Sequence, residues 1–174
     1  FGTGSAPCGY PNMRPPRRFE ITEHPEIPLD GFVLGWIAMV PLLVCAVAAF
    51  HSDWAGMAIE AGRFWAAAIS IFLAGVRRGL SFRTVGGPQP RQIAMMLWLF
   101  CGGIVAVVLP PRLSLGLLIL LYLSLAIVDP RAARAGDVPL YFRRLRPPQM
   151  WAALLCLGVM LWQTSAVGAE VFAT

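Results

Sequence analysis

Apolar residues are concentrated in five long runs that are separated by short polar segments. Each run approaches the roughly 20 residues that an α-helix needs to cross a hydrocarbon core of about 30 Å. The segments between the runs are rich in proline, glycine and arginine, which are typical of helix ends and loops. This pattern predicts an all-α, polytopic integral membrane protein, a bundle of five transmembrane helices at about 31–50, 56–76, 93–109, 113–128 and 150–169.

Composition supports a membrane location. The chain has 174 residues, of which 57% are hydrophobic and 13% are charged, and its mean hydropathy is +0.67. A soluble domain of this length is more polar. The net charge of +5 comes from arginine without any lysine. Because the arginines fall between apolar runs and not along one solvated face, nucleic-acid binding is not expected.

The second run is the only one that carries ionisable groups inside what must be a membrane span. Its strictly apolar part, 64–76, is too short to cross a bilayer, so the helix is expected to begin near Gly56. Small and polar residues three and four positions apart then share one stripe of the helix. Charges that face lipid cost several kcal/mol, so this stripe is predicted to face the interior of the bundle. Its residues are Glu60, Arg63, Ala67, Ser70, Ala74 and Arg77.

Two interpretations of the charged residues in this stripe are open. Glu60 and Arg63 lie one helical turn apart and could form an ion pair, with Arg63 extending toward the nearer membrane surface. The same residues could instead form a proton or ion site, although pairing is favoured. Arg77 and Arg78 are predicted to mark the other membrane boundary and contact lipid phosphates, or to bind an anion.

Proline and glycine predict where the remaining spans bend or approach one another. Pro41 is expected to kink the first span near its middle. Gly31 and Gly35 form a pattern that allows close helix contact, and the pair Gly102–Gly103 should let another helix approach the third span. Asp129–Pro130 is expected to end the fourth span, because proline lacks the amide hydrogen that continues a helix.

Polar segments are expected at both ends of the chain. Residues 1–30 contain many prolines and alternating charge, which predicts an extended tail on the membrane surface or along a partner. Residues 1–12 lack the basic and then apolar order of a secretory signal. Asp30 is a candidate N-cap for the first span. Residues 170–174 are expected to form a short outer tail.

Arginine is distributed asymmetrically between the two predicted sides of the membrane. With five spans, the amino-terminal tail, the loop after the second span and the loop after the fourth lie on one side and carry twelve of the fourteen arginines. Arg63 and Arg112 fall on the other side. The positive-inside rule then predicts a cytoplasmic N-terminus and an external C-terminus. Basic residues drawn only from arginine suggest a GC-rich bacterial genome.

The sequence lacks the patterns of common cofactor and catalytic sites. His24 lies in the tail and His51 at the opposite end of the first span, so the two cannot ligate one haem, although His51 alone could supply an axial ligand. The four cysteines lack the spacing of a zinc site and are expected to pack as small hydrophobic residues. Motifs of a nucleophile elbow, a phosphate loop or a zinc protease are missing. We therefore expect no catalytic residue, no cofactor and no metal.

Two short motifs provide a family resemblance. Residues 69–79 read Ile-Ser-Ile-Phe-Leu-Ala-Gly-Val-Arg-Arg-Gly, and Pro139–Arg146 contains two aromatic residues followed by Leu-Arg. Both resemble patterns of the membrane family named domain of unknown function 3429, the transmembrane protein 69-like proteins, with departures at Ala74 and at Arg78, where that family has Trp. The resemblance implies a multi-helix protein of bacterial inner membranes or mitochondria and implies no reaction. The positions of the second span that resemble the family pattern are Ser70, Leu73, Gly75, Arg77 and Gly79.

These features favour a non-catalytic accessory or assembly subunit that packs among other integral membrane subunits of a larger inner-membrane complex, such as a respiratory or photosynthetic electron-transport system. The alternative is a small transporter or channel, which would require a water-accessible cavity along the polar stripe. Gly75 and Gly79 are predicted helix-packing positions. The arginines expected to contact lipid headgroups or a partner are Arg78, Arg143, Arg144 and Arg146.

Overall fold

The protein is all-helical wherever its structure is described. The computed structural model describes residues 29–82, 87–134 and 142–171, and within them the side chains at all positions except 30, 133–134, 142–144 and 165–171. No strand occurs in these ranges. The helices are α1 (Leu29–Ile37), α2 (Val40–Ala48), α3 (Ala55–Ser81), α4 (Pro90–Val108), α5 (Pro111–Arg134) and α6 (Phe142–Val171).

Four segments are long and apolar enough to cross a membrane. They are Gly31–Ala48, Ala55–Ser81, Pro90–Val108 and Pro111–Ala132, and they coincide with the first four predicted spans. Helix α6 contains the predicted fifth span and is not one of these four. The side chains beyond position 164 of α6 lie outside the described residues, as do residues 1–28 of the predicted tail 1–30 and residues 172–174 of the predicted tail 170–174.

The first span consists of two short helices, because it breaks where Pro41 was expected to kink it. Pro41 lies in the first turn of α2, where its missing amide hydrogen is tolerated. Trp65 Nε1 of α3 donates a hydrogen bond to the carbonyl oxygen of Ala38 at the break, at 2.9 Å. A neighbouring helix therefore satisfies a backbone group that the break exposes. Helix α1 begins at Leu29, so Asp30 lies in its first turn and not at an N-cap.

Two boundaries differ from the prediction at prolines. Helix α5 does not end at Asp129–Pro130 but continues to Arg134, and α6 begins at Phe142, within the predicted basic loop, with Pro147 and Pro148 inside it. Proline removes one backbone hydrogen bond, but its φ near −65° is itself helical. A helix whose side chains are held by neighbours can therefore continue through proline.

Helix α3 is the centre of the bundle and contacts α2, α4, α5 and α6. Its contact with α4 is close at Gly103, where an added Cβ would lie 2.7 Å from Ile71 Cγ1 and 3.3 Å from the Ala67 carbonyl oxygen. At Gly102 an added Cβ would lie 2.7 Å from Leu121 Cδ2 of α5. The approach of neighbouring helices predicted for this glycine pair is thus confirmed on both of its sides.

Candidate functional site

The candidate site is the polar stripe of α3, which we define as Glu60, Arg63, Ser70 and Arg77. The structure places Arg63 and Ser70 inside the bundle, 8% and 0% exposed. Two small residues on the same side of α3 are also buried, Ala67 between Arg63 and Ser70 and Ala74 between Ser70 and Arg77. Small side chains at these positions let α4 and α5 pack close to the stripe, so its polar groups meet partners on those helices.

At one end of the stripe, Arg63 joins two helices. Its Nε donates to Glu60 Oε2 at 2.8 Å, and its Nη2 lies 2.6 Å from the same oxygen. The predicted ion pair is therefore confirmed. Arg63 Nη1 also lies 3.2–3.3 Å from three carbonyl oxygens at the C-terminal end of α4. A cation is favourable there, because the last carbonyls of a helix lack intrahelical partners and carry partial negative charge. The carbonyls belong to Ala106, Val107 and Leu109.

We expect the two members of this pair to contribute unequally to stability. The Glu60 side chain is 41% exposed, so Glu60→Gln should lower the free energy of unfolding by less than about 1 kcal/mol. Arg63→Gln leaves the α4 carbonyls without a cation and should cost about 2 kcal/mol or more. Thermal unfolding in detergent, followed by tryptophan fluorescence, measures both effects.

Arg112→Gln is the control for this comparison, because Arg112 is exposed at the start of α5. Its substitution should leave the unfolding midpoint unchanged. If Glu60→Gln destabilises the protein as much as Arg63→Gln, the carboxylate and not the α4 terminus is the main partner of Arg63.

Hydroxyl groups satisfy helix carbonyls in the middle of the bundle. Ser70 Oγ donates to the Leu99 carbonyl oxygen of α4 at 3.1 Å. The Tyr122 hydroxyl of α5 donates to the Ala66 carbonyl oxygen of α3 at 3.0 Å. Both side chains are fully buried. Sequence reasoning overlooked Tyr122, although a tyrosine in the middle of an apolar helix needs a partner for its hydroxyl.

At the other end of the stripe, Arg77 forms an ion pair with Asp129 of α5. The side chains of the two residues are only 10% and 4% exposed, so the pair is buried. From the sequence, Arg77 is predicted both in the inward-facing stripe and at the membrane boundary, and Asp129 at the end of the fourth span. An acidic residue in an apolar helix requires a cation, and this requirement is the signal that was available.

The remaining predicted residues lie outside this set of contacts. Gly75 and Gly79 are on the exposed side of α3, and a Cβ built on either would meet no heavy atom within 4 Å. Neither is therefore a packing position inside the described bundle. The Arg78 guanidinium carbon lies 4.3 Å from the centroid of the Phe82 ring. Arg146 is half-buried on α6, whereas the side chains of 143 and 144 lie outside the described residues.

Groups suited to a metal are not assembled in the part of the chain that the structure describes: no three His, Cys, Asp or Glu side chains converge there. His51 is exposed in the link between α2 and α3. His24 and Cys8 lie outside the described residues. Cys45, Cys101 and Cys156 are free thiols.

Comparisons of the chain with protein-family models, with curated proteins and with solved structures find no match. The resemblance to the domain of unknown function 3429 family therefore stays a prediction.

Proposed function

We propose that the protein is a non-catalytic accessory or assembly subunit that packs beside other integral membrane subunits in a bacterial inner-membrane complex. The observation that carries this proposal is an exposed face of α3 on which a Cβ added at Gly75 or Gly79 would meet no heavy atom of the described residues within 4 Å. We call it the contact face and define it by Ala61, Phe64, Gly75 and Gly79.

The contact face lies on the side of α3 opposite to the buried core. At 100° per residue, its four members fall within about 60° of one another around the helix. Ala61, Gly75 and Gly79 offer no bulk, and Phe64, one turn from Ala61, is 44% exposed. Glycines four residues apart let two helix backbones approach closely in a membrane, where van der Waals contact drives association.

The polar stripe supports an accessory role over transport. Its hydrogen bonds and ion pairs run to backbone carbonyls or to a side chain of opposite charge within the bundle. Such contacts stabilise the packing of α3 against α4 and α5. A transport path requires polar groups that exchange partners with water or substrate, whereas these groups already have partners inside the protein.

The proposal includes five spans with the N-terminus in the cytoplasm, and respiratory or photosynthetic electron transport as candidate settings. It is supported by the distribution of arginine in the sequence and by the alternation of the helices. Arg77, Arg78, Arg131 and Arg146 lie near the ends of α3, α5 and α6 that this topology places on one side. These ends would meet the anionic cytoplasmic leaflet.

Double substitution of Gly75 and Gly79 by leucine should release the protein from its complex without unfolding it. A Cβ added at either position meets nothing within 4 Å in the described bundle, so stability should change little. The amount that co-migrates with partners on native gels of mildly solubilised membranes should fall about tenfold or more, equivalent to roughly 1.4 kcal/mol of association energy.

Gly56→Leu is the matched control, because Gly56 is an exposed glycine of α3 on a different side of the helix. This variant should co-migrate as the wild type does. If the wild-type protein runs alone or as a small homo-oligomer, the accessory role is refuted, and the polar stripe becomes the place to look for transport.

A further inference from the structure

A large cavity lies between α1, α3 and α6, away from the polar stripe. Its volume is about 660 Å³ and its walls are mainly apolar. Leu34, Ile37 and Phe72 on its walls are also exposed, 59–67% of each residue, so the cavity opens toward the lipid side of the bundle. A cavity of this size and lining can hold a hydrocarbon chain.

One buried polar group in this cavity lacks a partner. Gln149 of α6 is 4% exposed, and its Nε2 is fully buried without a hydrogen-bond partner in the described protein. A buried amide donor left unsatisfied destabilises the folded protein. Glycine at position 35 of α1 leaves space for this amide, because a Cβ at Gly35 would lie only 2.5 Å from Gln149 Nε2. The amide is therefore a donor that a molecule in the cavity could satisfy.

The same wall of the cavity also carries a positive charge. Arg146 lines the cavity one helical turn before Gln149, about 4.5 Å nearer to the membrane edge. In a glycerophospholipid, the phosphate and the ester carbonyl are separated by a comparable distance. Basic pockets between membrane helices are typical binding sites for anionic headgroups.

The length of the cavity matches one leaflet of a bilayer. Along α3 it is lined from Trp65 to Val76, which corresponds to about 16 Å at 1.5 Å per residue. Half of a hydrocarbon core of about 30 Å is about 15 Å. One acyl chain that starts at the membrane edge would therefore reach the end of the cavity near the bilayer centre.

We propose that this cavity binds one anionic glycerophospholipid of the arginine-rich leaflet. Its phosphate lies at Arg146, an ester carbonyl accepts a hydrogen bond from Gln149 Nε2, and an acyl chain fills the apolar part. A quinone would use the amide and the apolar walls but not the charge of Arg146, so the phospholipid accounts for more of the lining. This site does not depend on the proposed accessory role.

Lipid titration of the purified, delipidated protein in detergent tests the proposal. Phosphatidylglycerol at about ten times its Kd should raise the thermal midpoint of the full chain by about 3–5 °C. Native mass spectrometry should show one lipid bound. Phosphatidylcholine should give a smaller shift, and Arg146→Gln should remove the difference between the two lipids, whereas Arg131→Gln, at an exposed arginine of α5, should preserve it.

Gln149→Leu separates binding from folding. Without lipid this variant should be at least as stable as the wild type, because the unsatisfied amide is removed. With phosphatidylglycerol its shift should be lost. Ala68→Phe, which fills the cavity from α3, should also abolish the shift, and Ala61→Phe, outside the cavity on the same helix, should retain it.

Three outcomes would overturn the proposal. The wild type could show no shift and no bound phosphatidylglycerol, or the cavity variants could shift as much as the wild type. A short-chain quinone could also produce a shift that Gln149→Leu abolishes while phosphatidylglycerol produces none. That last outcome would assign the cavity to a quinone and refute the phospholipid.

Discussion

Replacing Asp129 by asparagine is expected to lower the free energy of unfolding by about 3–5 kcal/mol. The substitution leaves the guanidinium of Arg77 buried between α3 and α5 without its counter-charge, and its side chain is only 10% exposed. Loss of one member of a buried ion pair is among the costliest single defects. Expression level and thermal unfolding in detergent measure the loss.

Two further variants define the origin of this effect. Asp53→Asn, at an exposed aspartate in the link before α3, should be neutral. The double variant Arg77→Leu and Asp129→Leu should recover much of the lost stability, since removal of both charges leaves neither unpaired. If Asp129→Asn changes stability by less than about 0.5 kcal/mol, a typical value for harmless surface substitutions, the ion pair does not hold α3 and α5 together.

Replacing Gly103 by valine is expected to cost about 3 kcal/mol through overpacking of α3 against α4. The new Cβ would lie 2.7 Å from Ile71 Cγ1 and 3.3 Å from the carbonyl oxygen of Ala67. The isoleucine could change its rotamer, but a backbone carbonyl in a rigid helix cannot move without its helix. The two helices should therefore separate locally, which a fall in the thermal midpoint would show.

Gly116→Val is the matched control, because an added Cβ at this position of α5 meets no atom within 4 Å. Adding Ile71→Ala to Gly103→Val should restore part of the stability, since it removes the closest obstacle. A Gly103→Val protein that unfolds at the wild-type temperature would contradict the close approach of α3 and α4 on which the position of the stripe depends.

Several features of the fold could be predicted because they depend on short stretches of sequence. The apolar runs located the first four spans, and the spacing of Arg63 and Ser70 by seven residues placed both on one buried side of α3. Pro41 identified the break between α1 and α2. The pair of Glu60 and Arg63 followed from their distance of one helical turn.

Local sequence patterns were not sufficient where tertiary contacts decide a helix boundary or the neighbour of a helix face. Asp129–Pro130 has the pattern of a helix end, but Arg77 holds Asp129 and α5 continues past it. Gly75 and Gly79 stay predicted packing positions, but the rotation of α3 turns them away from the described bundle, which the sequence pattern did not show. Periodicity shows which residues share a face of a helix, but not which neighbour covers that face.

The sequence by itself thus determined an all-helical, membrane-type chain, the place of its first four apolar helices and the stripe of α3 that must avoid lipid. These properties follow from composition and helical periodicity, which act over a few turns. Only the tertiary structure decided that Arg63 meets the end of α4, that Arg77 meets Asp129, and that Gln149 faces an apolar cavity. Such contacts depend on the rotation and spacing of helices distant in sequence, which the packing of the whole bundle sets.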